Sequence, residues 1–185
     1  MDSTGTQRRE GEKTMAATSD TSYTDAKGRT RWQRNDWLAE RLKELGEFLI
    51  IGGYEESHAV VYKRLSYTIS RYPASVERLL SEGRLAEIPD VGPTIAALIE
   101  EFMLTGTCGK REEWAAYHPP SLLDVCAIPG MGAKMVRTLY LEHRIDSLPR
   151  LEKALDSGQL AGVRGLGKKT VESARAHIAA QAGNS

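Results

Sequence analysis

The feature that most constrains this chain is an internal repeat. Ser81-Glu-Gly-Arg-Leu-Ala-Glu-Ile-Pro-Asp-Val-Gly92 aligns without a gap on Asp156-Ser-Gly-Gln-Leu-Ala-Gly-Val-Arg-Gly-Leu-Gly167, an offset of 75 residues. Repeats report an architecture that local propensity alone misses. Each copy reads as a helix C-terminus closed by Gly83 or Gly158, a short apolar segment, and a tight turn closed by Gly92 or Gly167 before another helix. Between them stands a third turn of the same type, Ile128-Pro-Gly-Met-Gly132, followed by the helical pattern Met135, Val136, Leu139 and Tyr140. No strand pattern is evident, so an all-α fold built from tandem helix-hairpin-helix units is expected.

The remaining helices follow from apolar spacing. Leu38, Leu42, Leu45 and Leu49 share one face of a helix that starts at Asn35 and ends at Gly52-Gly53. Tyr62, Leu65, Ile69 and Tyr72 define a second, stopped by Pro73, which has no N–H to donate. Ser75 caps a short third helix ending at Gly83, and Ser121, Ser147 and Gly106 mark further boundaries, giving about ten helices. Residues 1–34 are rich in small polar and charged residues without apolar period and are expected to be a disordered tail. Residues 35–117 and 118–182 then form two helical domains, the first with one hairpin and the second with two.

An hGhG turn between helices suits a phosphate. Glycine allows φ > 0 and removes the Cβ that would hold a polyanion away, while the helix that follows presents free N–H groups and a positive dipole end. Lys134 follows Gly132 by two positions and Lys168-Lys169 follow Gly167 directly, on first turns where lysine otherwise opposes the dipole. Net charge is zero, yet residues 37–120 carry nine basic and thirteen acidic residues, whereas 121–185 carry nine and six. Phosphate contacts are therefore expected mainly at Gly130, Gly132, Ala133, Lys134, Gly165, Gly167, Lys168 and Lys169, with Gly92, Pro93 and Thr94 a weaker third set. In that weaker turn Asp90 stands where the others have Gly130 and Gly165, and Thr94 where they have lysine.

Other chemistries find little support. Cys108 and Cys126 lack zinc or disulfide spacing, and no apolar run approaches the roughly 18 residues of a bilayer span. Without a signal-like N-terminus, a cytoplasmic, nucleoid-associated protein is expected.

Ile88-Pro-Asp-Val-Gly-Pro-Thr-Ile-Ala96, Glu100-Glu-Phe102 and Thr105-Gly106 resemble the amino-terminal lyase-type domain of family X DNA polymerases. Val61-Tyr-Lys-Arg64 and Ser70-Arg-Tyr-Pro73 resemble the helix preceding it, and Ile128 to Lys134 resembles the family's second hairpin. Gly165-Leu-Gly-Lys-Lys-Thr170 resembles bacterial members, so that similarity runs from about residue 36 to 180. The resemblance implies DNA as partner, duplex, nicked or gapped, gripped by its phosphates in a repair context beside other repair proteins. It also implies a K⁺ or Na⁺ held by the backbone carbonyls of Cys126, Ile128 and Met131. Two departures limit the transfer. The polymerase palm would begin beyond Ala180, and the sequence contains no Asp-x-Asp pair to hold two metal ions, which excludes polymerisation. The Schiff-base lysine of lyase-active members would fall at Leu98 and a neighbouring phosphate-binding lysine at Thr94, so no catalytic residue is expected. The alternatives are an abasic-site lyase using Lys63 or Lys110, with His58 and Arg64 nearby, and a protein-interaction scaffold.

Overall fold

The computed structural model describes residues 20–183. Its organising element is α1 (Gln33–Gly52), about 30 Å long at the helical rise of ~1.5 Å per residue. The leucine stripe read from sequence is its core face: Leu38, Leu42, Leu45 and Leu49 are completely buried. Each contributes about 1.5–3 kcal/mol of burial. Around α1 lie α2 (Glu56–Ser70), α3 (Val76–Ser81), α4 (Pro93–Thr105), α5 (Gly109–Ala115), α6 (Leu122–Cys126) and α7 (Ala133–His143), all packed against it. Then α8 (Leu148–Asp156) packs on α6, and α9 (Lys168–Ala182) packs on α8. A short 3-10 turn, Leu85–Glu87, precedes the first hairpin. The fold is helical, as expected, and one buried cluster runs from Leu38 to Ile178.

Two local expectations need correction. The helix does not begin at Asn35 but at Gln33, and Asn35 lies fully buried inside its first turn. Its amide donates to the Ile69 and Ala74 carbonyls and its oxygen accepts the Val76 N–H at 2.8 Å. A residue type favoured at helix starts here clamps the α2–α3 turn onto α1. Ser75 caps α3 as anticipated, accepting from the Arg78 N–H at 3.1 Å. Ser121 and Ser147 do not cap: they donate to the Asp146 carbonyl and carboxylate, fastening the α7–α8 loop to the start of α6.

The second correction concerns the tail and the absence of strands. The expected tail lies outside the described residues up to position 19, but residues 22–32 form an antiparallel hairpin of β1 (Ser22–Thr24) and β2 (Thr30–Trp32), with Ser22 opposite Trp32. Strands of three residues are too short to show alternation. Asp25 closes the turn by accepting N–H bonds from Arg29 and Lys27 and pairing with both guanidiniums of Arg29 and Arg31. The Arg29 N–H, first among these donors, holds its carboxyl well below the usual carboxylate range. Contacts distant in sequence dock the hairpin: Arg31 donates to the Ser70 carbonyl at 2.6 Å and the Trp32 indole to the Pro73 carbonyl at 3.0 Å.

Candidate nucleic-acid interface

The three sequence turns share one backbone conformation. Asp90, Gly130 and Gly165 occupy the left-handed region, at φ of 66°, 88° and 89°. Each turn closes with one hydrogen bond, from Val91 to Ile88, Met131 to Ile128 and Leu166 to Val163, at 2.9–3.1 Å. Gly92, Gly132 and Gly167 then form the N-caps of α4, α7 and α9 in extended backbone, φ −87°, −78° and −78°. Their carbonyls accept the first helical bonds, from Ala96, Val136 and Val171.

The two glycines of each motif therefore serve different ends. The first is required by conformation. The second adopts angles open to any residue, and a Cβ placed on Gly92, Gly132 or Gly167 would meet nothing within 4 Å. Sequence reasoning assigned φ > 0 to both, and the structure restricts it to the first. Nothing inside the fold demands glycine at the second position; what its absence of a side chain provides is access to the helix start. No side-chain hydrogen bond caps these starts, which leaves the first N–H groups of α7 and α9 for a ligand, whereas α4 opens with Pro93, which has no N–H to offer.

The second and third turns pack on each other reciprocally. Thr170, three residues after Gly167, sits against Gly130, its Oγ1 3.6 Å from where a Cβ would be; Met135, three residues after Gly132, covers Gly165, its Cε only 2.5 Å from such a Cβ. Equivalent residues thus cover equivalent glycines, which is the relation of a local pseudo-twofold pair. Lys134 and Lys169 each immediately precede these contact residues and are exposed, as are Gly130, Gly132, Gly165, Gly167 and Lys168. Ala133 is the exception: it is buried. In the first turn the left-handed position is held by Asp90, a residue with a side chain, at φ 66°.

Charges complete the picture in ways the sequence concealed. Lys134 pairs with Glu56 at the start of α2, Nζ to carboxylate 2.8 Å, both groups exposed. Asp90 pairs with Arg64 of the same helix at 3.2 Å, so the first turn, read as lacking a cation, has one supplied by α2. Lys168 and Lys169 form no ion pair among the described residues. Beside the second turn lies a groove of about 420 Å³ lined by Glu40, Lys43, Glu44 and Glu47 of α1 and by residues 126–132. Burial, then Glu47, pushes the Cys126 thiol up to about 12, which leaves it a protonated, inert group. The Ile128 carbonyl already accepts the Met131 N–H at 2.9 Å, and the side chains of Ile128 and Met131 are buried.

The region matching the lyase pocket is built differently. Leu98 is buried in the core. Lys110 donates to the Tyr54 hydroxyl at 3.0 Å with its ammonium 4.2 Å from the ring centre. Burial opposes its charge, but Tyr54, Tyr62 and Glu113 together hold the ammonium above its ordinary range. Lys63 faces Glu47 at 4.0 Å, and His58 faces Glu55 at 3.5 Å. Thr94 and Pro93 are exposed beside Gly92.

Among the described residues no helix is long and apolar enough to cross a membrane, and no group of three His, Cys, Asp or Glu side chains is placed to hold a metal. Residues 122–178, which contain the paired turns, match the family described as SAM-like helix-hairpin-helix tandem. The chain is also 27% identical over 97 residues to the DNA polymerase/3'-5' exonuclease PolX of Bacillus subtilis (strain 168), a match spanning 52% of this chain and 17% of that protein. The second and third turns thus form a tandem helix-hairpin-helix region within a chain of which half is similar to part of PolX.

Proposed function

We propose that this chain binds DNA through backbone phosphates and without sequence preference, principally at the second and third hairpins. The observation that carries the proposal is the pair of N-cap glycines, Gly132 and Gly167. They are exposed, need no glycine for internal packing, and stand beside helix-start N–H groups that no side chain caps and beside the cations Lys134, Lys168 and Lys169. A phosphate oxygen there accepts helix N–H groups and gains from the dipole and the lysines together. The matched tandem family and the name of the bacillar relative, a DNA polymerase/3'-5' exonuclease, support the same reading. The proposal extends to a role in DNA repair, with binding at nicked or gapped duplexes beside other repair proteins on the nucleoid.

In this account residues 35–117 and 118–182 act as two gripping units, and no catalysis is performed. A buried leucine at position 98 forms no imine, and the Lys110 ammonium, held above its usual range, is a poor nucleophile. A monovalent cation, if held by the Cys126, Ile128 and Met131 carbonyls, would supply a positive bridge to phosphate, favoured by the acidic groove alongside. Titration of the chain into labelled duplexes at several salt concentrations tests the proposal. Binding that weakens steeply with salt and is equal for scrambled sequences is expected; salt-independent or sequence-selective binding would refute it. Borohydride trapping on an incised abasic-site duplex should give no adduct; one that vanishes in Lys63→Ala or Lys110→Ala would establish a lyase.

A further inference from the structure

α2 forms ion pairs with both the first and the second hairpin. Its Glu56 reaches Lys134 of the second turn and its Arg64 reaches Asp90 of the first. Positions 56, 60, 64, 67 and 71 fall on one helical face, and every residue there is exposed. Toward the end of that face stands Tyr67, 62% exposed. The Arg71 guanidinium lies 3.5 Å from its ring centre while donating to the Tyr67 carbonyl and the Ser70 hydroxyl. The ring is thus braced on its helix, and it sits one turn beyond Arg64. At this end of the face, beyond Glu56, the two guanidiniums outnumber the one carboxylate paired with them, Asp90 on Arg64.

We propose that Tyr67, with Arg64 and Arg71, forms a stacking subsite for an unpaired DNA base, so that α2 carries a single-stranded stretch next to the first hairpin. This rests on the DNA-binding reading and adds to it a ligand that the hairpins themselves do not recognise. An exposed phenol backed by the Arg71 guanidinium, with Arg64 one helical turn away, offers ring surface to a base and cations to its phosphates. Duplex bases have no free faces to offer, so the subsite selects unpaired strand. The proposal also gives the first hairpin a role despite Asp90. Arg64 holds that carboxylate, and the favourable contacts lie along α2.

The test uses the full chain and fluorescence anisotropy with three probes: an intact duplex, the same duplex interrupted by several unpaired thymidines, and oligothymidylate. Tyr67→Ala should weaken binding to the gapped duplex and to oligothymidylate by about fivefold or more, the lower end of what one stacked base contributes. Its affinity for the intact duplex should stay within about twofold, which also shows that the variant is folded. Tyr67→Phe should bind all three like the parent, because the ring and not the hydroxyl is used. Equal affinities of Tyr67→Ala and parent for the gapped probe, or a loss shared equally by all three, would overturn the subsite while leaving the hairpin account standing. A Phe variant as weak as the Ala variant would overturn it too. Failure of the parent to bind any probe would remove both readings.

Discussion

Glycine has two jobs in each hairpin, and substitution separates them. At Gly165 the φ of 89° and the Met135 methyl at 2.5 Å both oppose a side chain. Gly165→Ala should therefore cost about 1–2 kcal/mol of stability, the left-handed penalty, read as a lower urea midpoint at unchanged slope. At Gly132 and Gly167 the backbone suits serine, and serine is a good N-cap, so Gly132→Ser and Gly167→Ser should leave the urea midpoint unchanged or slightly raised. Both should still lower DNA affinity, because the new side chain occupies the path to the helix N–H groups. A serine variant that binds like the parent would show those glycines to be incidental. Charge variants act at the same scale. Glu56→Gln should strengthen duplex binding severalfold by releasing Lys134, and Asp90→Gly should strengthen it by releasing Arg64 and removing a like charge. Lys134→Glu and the pair Lys168→Glu with Lys169→Glu should each weaken it by about tenfold or more, roughly 1.4 kcal/mol. Anisotropy titrations decide both directions; strengthening by the lysine reversals would place the DNA face elsewhere.

Among the elements, those with long apolar period were legible in sequence and those set by distant contacts were not. The α1 stripe, the Pro73 stop, the Ser75 cap and the three turns could be read because each is encoded within a few neighbouring residues. The β1–β2 hairpin could not. Its strands are three residues long, and what fastens it are Arg31 to Ser70 and Trp32 to Pro73, about forty positions apart. The pairing of the second and third turns was equally hidden, although Met135 and Thr170 stand at the same distance after Gly132 and Gly167. Asp90 shows how a repeat misleads: its sequence charge was plain, its neutralising Arg64 was not. The junction of α1, α5 and α7 is another such element. A Cβ at Gly52 would lie within 3 Å of Trp114 and His118, and the His118 ring lies 5.5 Å from Trp114 and 6.0 Å from Tyr140. Burial lowers the His118 pKa below its ordinary value. The folded state thus prefers the neutral ring, and the stability this gives is present above about pH 6.5 and lost as pH falls through the lower folded value. Urea midpoints should fall between pH 8 and 5.5, and His118→Gln should flatten that fall; an unchanged profile would show that His118 titrates freely.

For the whole molecule, net charge zero is a poor guide, because what meets a polyanion is a local surface and not the sum. The acidic groove under α1 and the exposed lysines of the paired hairpins lie close together, so orientation on DNA should be strongly specified. The similarity to PolX covers half of this chain and 17% of that protein. The central claim is that phosphates are held at hairpin N-termini, and the salt dependence of affinity for a duplex of arbitrary sequence tests it most directly. If about four phosphates are neutralised, log K should fall against log salt with a slope near −3.6, equally for scrambled sequences. A slope near zero, or a strong preference for one sequence, would contradict the account.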